Sequence, residues 1–545
     1  MSRPAFRVQT LARTLIAVAL AGSGFAVAGR PTGSADQTAP SFDLDEMTIA
    51  DLQARMEAGR ETARSLVEKY LARIAAVDQQ GPSIRSVIEV NPDALTDADR
   101  LDAERRATGS RGPLHGVPIL IKDNIATGDR MMTSAGSLAL ASAPAPRDAF
   151  IVGRLRAAGA ILLGKTNLAE WANFRDKHST VGWSARGGQT RNPYVLDRSP
   201  SGSSSGSGAA AAANLCAAAV GTETDGSIVS PSSVNSLVGI KPTLGLLSRT
   251  GIVPISHSQD TAGPMARTVA DAVVLLGAMA GSDRQDPATG ESNARGFRDY
   301  SKFLDANGLR GARIGVVREH LFGYSPPADR LAAAAIADLK QQGAVIIDPA
   351  NIPTLGKFED SELEVMLYEF KADLKRYLDW FGPAALVRSL QDVIAFNESH
   401  KEQEMPYFGQ DIFTASEKKG PLTSDDYKRK HSRYRQMAGA QGIDAVMAKY
   451  KLDALVAPTG GPAWPIDLVN GDRWPADESS PSSVTSVAGY PHITVPMGYS
   501  RGLPVGISFF GRAWSEPTLI RLAYAYERST RHRHKPAFTA TVDLQ

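Results

Sequence analysis

Hydroxyls and turn residues crowd two neighbouring segments of this 545-residue chain. Residues 199–208 run Ser-Pro-Ser-Gly-Ser-Ser-Ser-Gly-Ser-Gly, and residues 221–228 run Gly-Thr-Glu-Thr-Asp-Gly-Ser-Ile. A serine hydroxyl becomes an effective nucleophile once a neighbouring group takes its proton. Taken singly, each segment has a plainer reading. Composition makes the first a flexible linker, and Asp225-Gly226 makes the second a hairpin. The first, however, leads into a small-residue stretch, Ala209 to Ala219, which is expected to be helical. Its loop would then end at a helix N-terminus, where free backbone N–H groups can face an oxyanion or a hydroxyl.

Rival chemistries fit less well. Gly202-Ser203-Ser204-Ser205-Gly206 matches the Gly-x-Ser-x-Gly elbow, but that turn needs a strand leading into it, and Asp197-Arg198-Ser199-Pro200 is a poor strand. Ser416-Glu417-Lys418-Lys419 matches Ser-x-x-Lys but sits in a charged, solvated stretch. There is no phosphate-binding Gly-Lys-Ser/Thr and no His-Glu-x-x-His, and the nine histidines show no metal-ligand spacing. Cys216 is the single cysteine, flanked by Leu215 and Ala217, so disulfides, cysteine zinc sites and redox pairs are excluded. It reads as a small buried apolar residue. No metal or cofactor is required. The net charge of +2, from 60 basic and 58 acidic residues without a run of five like charges, gives no footprint for nucleic acid.

The elements that must position these residues alternate between strand and helix. Ile49, Leu52 and Met56 share a face behind the capping-box-like start Thr48-Ile49-Ala50-Asp51, and Leu66 to Val77 repeats at helical spacing. Val117 to Ile121 is a short apolar run suited to a buried strand. Residues 149–158 form a helix, and Ile161 to Gly164 a second strand. Strands recur at Arg313 to Val317, Ala344 to Ile347, Ala454 to Ala457, His492 to Val495 and Val505 to Phe509, with helices at 328–340 and 516–528. Between 351 and 448 the chain turns helical and charged, with Met366, Leu367, Phe370, Leu374 and Tyr377 on one stripe. This order predicts an α/β fold, one large domain over 43–545 with a central mixed β-sheet and helices on both faces.

Read together in order, Gly116-Val117-Pro118-Ile119-Leu120-Ile121-Lys122-Asp123, the serine-rich loop, Ser227 and Gly239-Ile240-Lys241-Pro242-Thr243 resemble the amidase signature family. Ala488-Gly489-Tyr490-Pro491, Val495-Pro496 and Gly502 to Gly506 fit the same family. Arg191-Asn192-Pro193-Tyr194, Gly221 to Ser227 and Asp260 to Met265 are similar to its bacterial peptide-amidase branch. The resemblance implies an amide hydrolase with no cofactor. Ser227 would be the acyl-forming nucleophile, Ser203 a relay on a cis peptide, and Lys122 the terminal base. The backbone N–H groups of Thr224, Asp225, Gly226 and Ser227 would form the oxyanion hole. A lysine base must lose about three pKa units from its reference near 10.4, roughly 4 kcal/mol, which burial supplies by penalising the ammonium. Ser201 and Ser205 stand where the family loop has glycines, and Asp225 replaces the first glycine of Gly-Gly-Ser.

The substrate implied is a C-terminal peptide amide. The alternatives are fatty, aryl or small aliphatic amides, or a role as an amidotransferase-type subunit. The helical segment 351–448 is expected to shape the acyl site. Arg3, Arg7 and Arg13 precede an apolar stretch from Leu15 to Val27, and Ala26-Val27-Ala28 has a small-x-small pattern. These features predict a secretory signal peptide, 1–28, cut after Ala28 and followed by a polar lead-in over 29–42. The mature protein is then expected to be a periplasmic or secreted monomer with no stable membrane association.

Overall fold

The computed structural model describes residues 41–473 and 479–543. The predicted signal peptide and nearly all of the lead-in lie outside them. Thirteen strands are described: β1 (Val87–Val90), β2 (Pro118–Lys122), β3 (Ile161–Thr166), β4 (Trp183–Ser184), β5 (Gly188–Gln189), β6 (Ala218–Glu223), β7 (Val238–Lys241), β8 (Thr261–Ala266), β9 (Arg313–Val316), β10 (Val345–Ile347), β11 (Ala454–Pro458), β12 (His492–Ser500) and β13 (Leu503–Phe510). β4 and β5 pair only with each other, and the rest form one mixed sheet in the order β1-β3-β2-β6-β8-β7-β12-β13-β11-β9-β10. Helices cover this sheet, and the described residues build the α/β domain that the alternating pattern predicts.

The sheet's centre places the candidate residues. β2 runs parallel to both β3 and β6, with Ile119 opposite Ala218 and Ile121 opposite Val220. The C-terminal ends of β2 and β6, Lys122 and Thr222-Glu223, therefore come out at the same edge of the sheet. Open α/β sheets place ligands at that edge. Both strands are buried along their whole length, which is why β2 reads as an unbroken apolar run instead of an alternating one.

The segment around the serines departs from its sequence reading in two places. The helix is Ser205–Ala212, so it begins inside the serine-rich loop and ends well before Ala219. Asn214 takes a positive φ of 60°, and Ala218 and Ala219 pair with β2 and β8. Sheet pairing overrides the helical propensity of the alanines. Nor does Asp225-Gly226 make a hairpin. β6 has long-range partners on both edges, and the turn leads into a helix, Val229–Val234. Gly206 shows why small residues fill this loop. A Cβ there would lie 2.3 Å from the Ser86 carbonyl oxygen and 2.5 Å from that of Asn167.

The segment from 351 to 448 carries the helices Glu359–Phe381, Leu390–Ser399, Lys401–Glu404, Asp411–Glu417, Asp425–Ala438 and Asp444–Tyr450. Leu367, Phe370, Leu374 and Tyr377 are all buried on the first of these. Among the described residues no helix is long and apolar enough to cross a membrane.

Candidate active site

Lys122 closes β2 with its side chain fully buried. Its Nζ lies 2.8 Å from Ser203 Oγ, 2.9 Å from Thr222 Oγ1 and 3.2 Å from the Thr222 carbonyl oxygen. Burial pulls its pKa down to about 7, against the pull of the Asp260 and Glu223 carboxylates, which favour the ammonium. The three contacts suit either protonation state. An ammonium donates all three hydrogens, whereas a neutral amine donates two to Thr222 and accepts the Ser203 hydroxyl proton on its lone pair. A group that must cycle between the two forms is therefore satisfied in both.

Ser203 follows a cis Gly202–Ser203 peptide bond, and its carbonyl accepts the Ala169 amide at 3.1 Å. The next residue clips the loop to the end of β6. Ser204 N donates to the Ser227 carbonyl oxygen at 3.2 Å, and Ser204 Oγ exchanges hydrogen bonds with the Thr222 carbonyl and amide at 3.0 and 3.2 Å. Exposure rises along the series Lys122, Ser203, Ser227 from 0% to 1% to 8%. The outermost hydroxyl is the one a substrate reaches first. Among the described residues no hydrogen bond joins the Ser203 and Ser227 hydroxyls. Lys122 and Ser203 are thus engaged, while Ser227 is held beside them through its backbone.

The turn carrying Ser227 is pinned on several sides. Glu223 accepts the amides of Ile228 and Val229 at 2.7 and 3.0 Å, and Thr224 Oγ1 donates to Asp260 at 2.6 Å. Asp225 accepts from the hydroxyls of Ser482 and Ser483, the latter at 2.9 Å, tying the turn to the helix Pro481–Ala488. Gly226 adopts a φ of +75°, which glycine supplies without a steric penalty. Among the described residues the Gly226 and Ser227 amides are not spent on protein acceptors, so they are available to an oxyanion.

The electrostatics behind the turn involve groups to which sequence reasoning gave no role. Lys241 is fully buried at the end of β7, and burial pulls its pKa down to about 8 while Glu223, Glu516 and Asp225 favour its charged form. Burial raises Glu223, with Lys241 and the two amides pulling it back. Asp260 is pushed up to about 6 by burial, against hydrogen bonds from Thr224, Ile255 and Ser256. The sequence signal for Glu223 was its position four residues before Ser227, and for Lys241 its place in the Gly-Ile-Lys-Pro-Thr segment.

A cavity of about 480 Å³ opens beside these groups. Asn124, Thr222, Glu223, Thr224 and Asp260 line its inner wall, and Tyr377 and Trp380 reach it from the helix Glu359–Phe381. Its charged walls are internally paired. Arg249 grips Asp286, and Asp373 takes both His257 Nδ1 at 2.9 Å and Arg376 at 2.8 Å.

The family model described as Amidase matches residues 65–520. The chain belongs to the amidase family. The native peptide amidase of Stenotrophomonas maltophilia superposes with a TM-score of 0.87 at 53% identity, over 91% of this chain and all of that one. A probable amidase of Arabidopsis thaliana is 43% identical over 93% of this chain and 95% of its own length. A glutamyl-tRNA(Gln) amidotransferase component from Chloroflexus aurantiacus is 36% identical over 91% and 99% of the two chains. The fold is that of this amidase family, and the activity it carries is hydrolysis of carbon–nitrogen bonds.

Proposed function

We propose that this amidase hydrolyses primary amides through Ser227, Ser203 and Lys122, and that C-terminal peptide amides are its substrates. The observation that carries the reading is the 2.8 Å contact between Ser203 Oγ and the buried Lys122 Nζ, whose pKa of about 7 makes it a base near neutrality. In this mechanism Ser227 attacks the carboxamide carbon while its proton passes to Ser203, and the proton of Ser203 passes to Lys122. The amides of Gly226 and Ser227, with those of Thr224 and Asp225, receive the oxyanion; a donor of this kind is worth roughly 3–4 kcal/mol. The proton returns to the leaving nitrogen, ammonia departs, and water enters by the reverse relay to free the acid. Bound substrate brings the two hydroxyls into contact, as catalytic hydrogen bonds often tighten only in the complex.

The likeness to the Stenotrophomonas peptide amidase supports the peptide-amide assignment, and the likeness to the amidotransferase component supports a second reading as one part of a larger assembly. Ammonia release from a panel of peptide, aliphatic and aryl amides, with Ser227→Ala as control, separates them. Rates highest on peptide amides support the proposal. No release from any amide, with the fold intact, would refute it. We also infer export after cleavage behind Ala28, from the charge and apolar order of residues 1–28. An N-terminal residue of Gly29 in protein recovered from the periplasm or medium would confirm this, and an intact N-terminus on cytosolic protein would refute it.

A further inference from the structure

Three buried polar atoms on the cavity wall lack a hydrogen-bond partner, Asn124 Oδ1, Tyr377 Oη and Trp380 Nε1, and of these only Asn124 Oδ1 is purely an acceptor. Asn124 is 2% exposed. Its Nδ2 donates to Thr222 Oγ1 at 3.0 Å, and its backbone carbonyl accepts the Val253 amide at 2.8 Å. The residue is therefore held at its backbone and at its side-chain nitrogen, yet its Oδ1 is buried with no hydrogen bond in the protein. Asn124 also lines the cavity. A buried carbonyl oxygen left without a donor is costly, and in native proteins each such case calls for an explanation. Here the setting supplies one, because the same Thr222 hydroxyl that holds Asn124 also accepts Lys122 Nζ at 2.9 Å. A donor bound to Oδ1 would sit at a fixed place relative to the base.

We propose that Asn124 Oδ1 receives a backbone N–H of the substrate, on the acyl side of the carbonyl that is attacked. The inference rests on the amide-hydrolase reading above and adds to it a positioning residue and a substrate feature. Oδ1 only accepts, so its ligand must carry N–H or O–H. The leaving group becomes ammonia, which needs about the 30 Å³ share of one water molecule, whereas the cavity holds about 480 Å³. The part of the substrate that fills it is the acyl part. In an α-acylamino amide the nearest N–H on that side is the one on the residue bearing the carboxamide. Asn124 thereby selects amides of amino acids and peptides over simple carboxamides.

The test uses the mature enzyme and two substrates differing in one group: N-acetyl-leucinamide, and its ester analogue in which oxygen replaces that N–H. Ammonia release is read at pH 9, above the titration of Lys122. The wild type should prefer the N–H substrate by about tenfold to a hundredfold in kcat/KM, the usual worth of one buried hydrogen bond. Asn124→Leu should shrink that preference to within about threefold, and Asn124→Asp, which keeps an acceptor in place, should retain it. Equal loss on both substrates in Asn124→Leu would overturn the proposal, since Asn124 would then act only through Thr222 and Lys122. A wild type without preference would also overturn it, and that result needs no variant to fold. Release from neither substrate would instead bring down the amide-hydrolase reading itself.

Discussion

Thr222→Val tests the role of Lys122 through its proton. The substitution removes an acceptor 2.9 Å from Lys122 Nζ and keeps a residue suited to the end of β6. A hydrogen bond to a charged group contributes about 1.5–3 kcal/mol and one between neutral groups about 0.5–1.5, so the lost bond favoured the ammonium by about 1–1.5 kcal/mol. At about 1.4 kcal/mol per pKa unit, the Lys122 pKa falls by about one further unit. The pH dependence of kcat/KM reports the free enzyme's essential base. Its acid limb should lie near pH 7 in the wild type and about one unit lower in Thr222→Val. The variant also leaves Asn124 Nδ2 without its acceptor, at a cost of about 1–3 kcal/mol in stability, so its melting temperature should fall. Rates of ammonia release from a peptide amide between pH 5 and 9 decide the matter. A limb that stays in place or moves upward in the variant would show that Lys122 is not the titrating base.

The remaining predictions concern the relay, the turn and the buried charges. Ser227→Ala should lose about four or more orders of magnitude in kcat, as removal of a triad nucleophile does, with little change in melting temperature because its hydroxyl makes no hydrogen bond among the described residues. Glu223→Gln removes the charge that holds the Ile228 and Val229 amides. It should lower the melting temperature by weakening two charge-assisted bonds of about 1.5–3 kcal/mol each, and lower kcat by loosening the turn; unchanged values of both would discount that clamp. Burial holds Lys122, Lys241 and Lys165, the last fully buried on β3, at folded pKa values of about 7, 8 and 8, below the ordinary 10.5. Between about pH 8.5 and 9.5 these lysines are largely neutral in the folded chain and charged in the unfolded one, whereas Glu527, raised by burial to about 8, is already mostly ionised, so stability should rise with pH over that window. Urea midpoints that fall over that window would contradict the burial of neutral lysines.

Local patterns carried much of the fold. The apolar run 117–121 announced a buried strand ending on Lys122, and the 3.6-residue stripe from Met366 to Tyr377 announced the helix that brings Trp380 to the cavity. What local pattern does not carry is pairing at a distance. Ala218 and Ala219 are strand because β2 and β8 flank them, and Asp225-Gly226 is not a hairpin for the same reason. The proximity of Ser203 and Ser227, 24 positions apart, arises from Ser204 clipping both Thr222 and the Ser227 carbonyl. Family resemblance named those serines; no spacing rule would have. Thr222 and Asn124 went unassigned because their importance lies in sharing one hydroxyl with Lys122, a relation that exists only once β2 and β6 lie side by side.

Ser227, activated through Ser203 and Lys122, is the residue expected to become covalently acylated. Incubation with a serine-directed fluorophosphonate, followed by peptide mass mapping, reads the nucleophile directly. One adduct is expected, on Ser227, forming faster as pH rises through about 7 and lost in Lys122→Met. An adduct on Ser203 or Ser204, or full amide turnover in Ser227→Ala, would contradict that expectation.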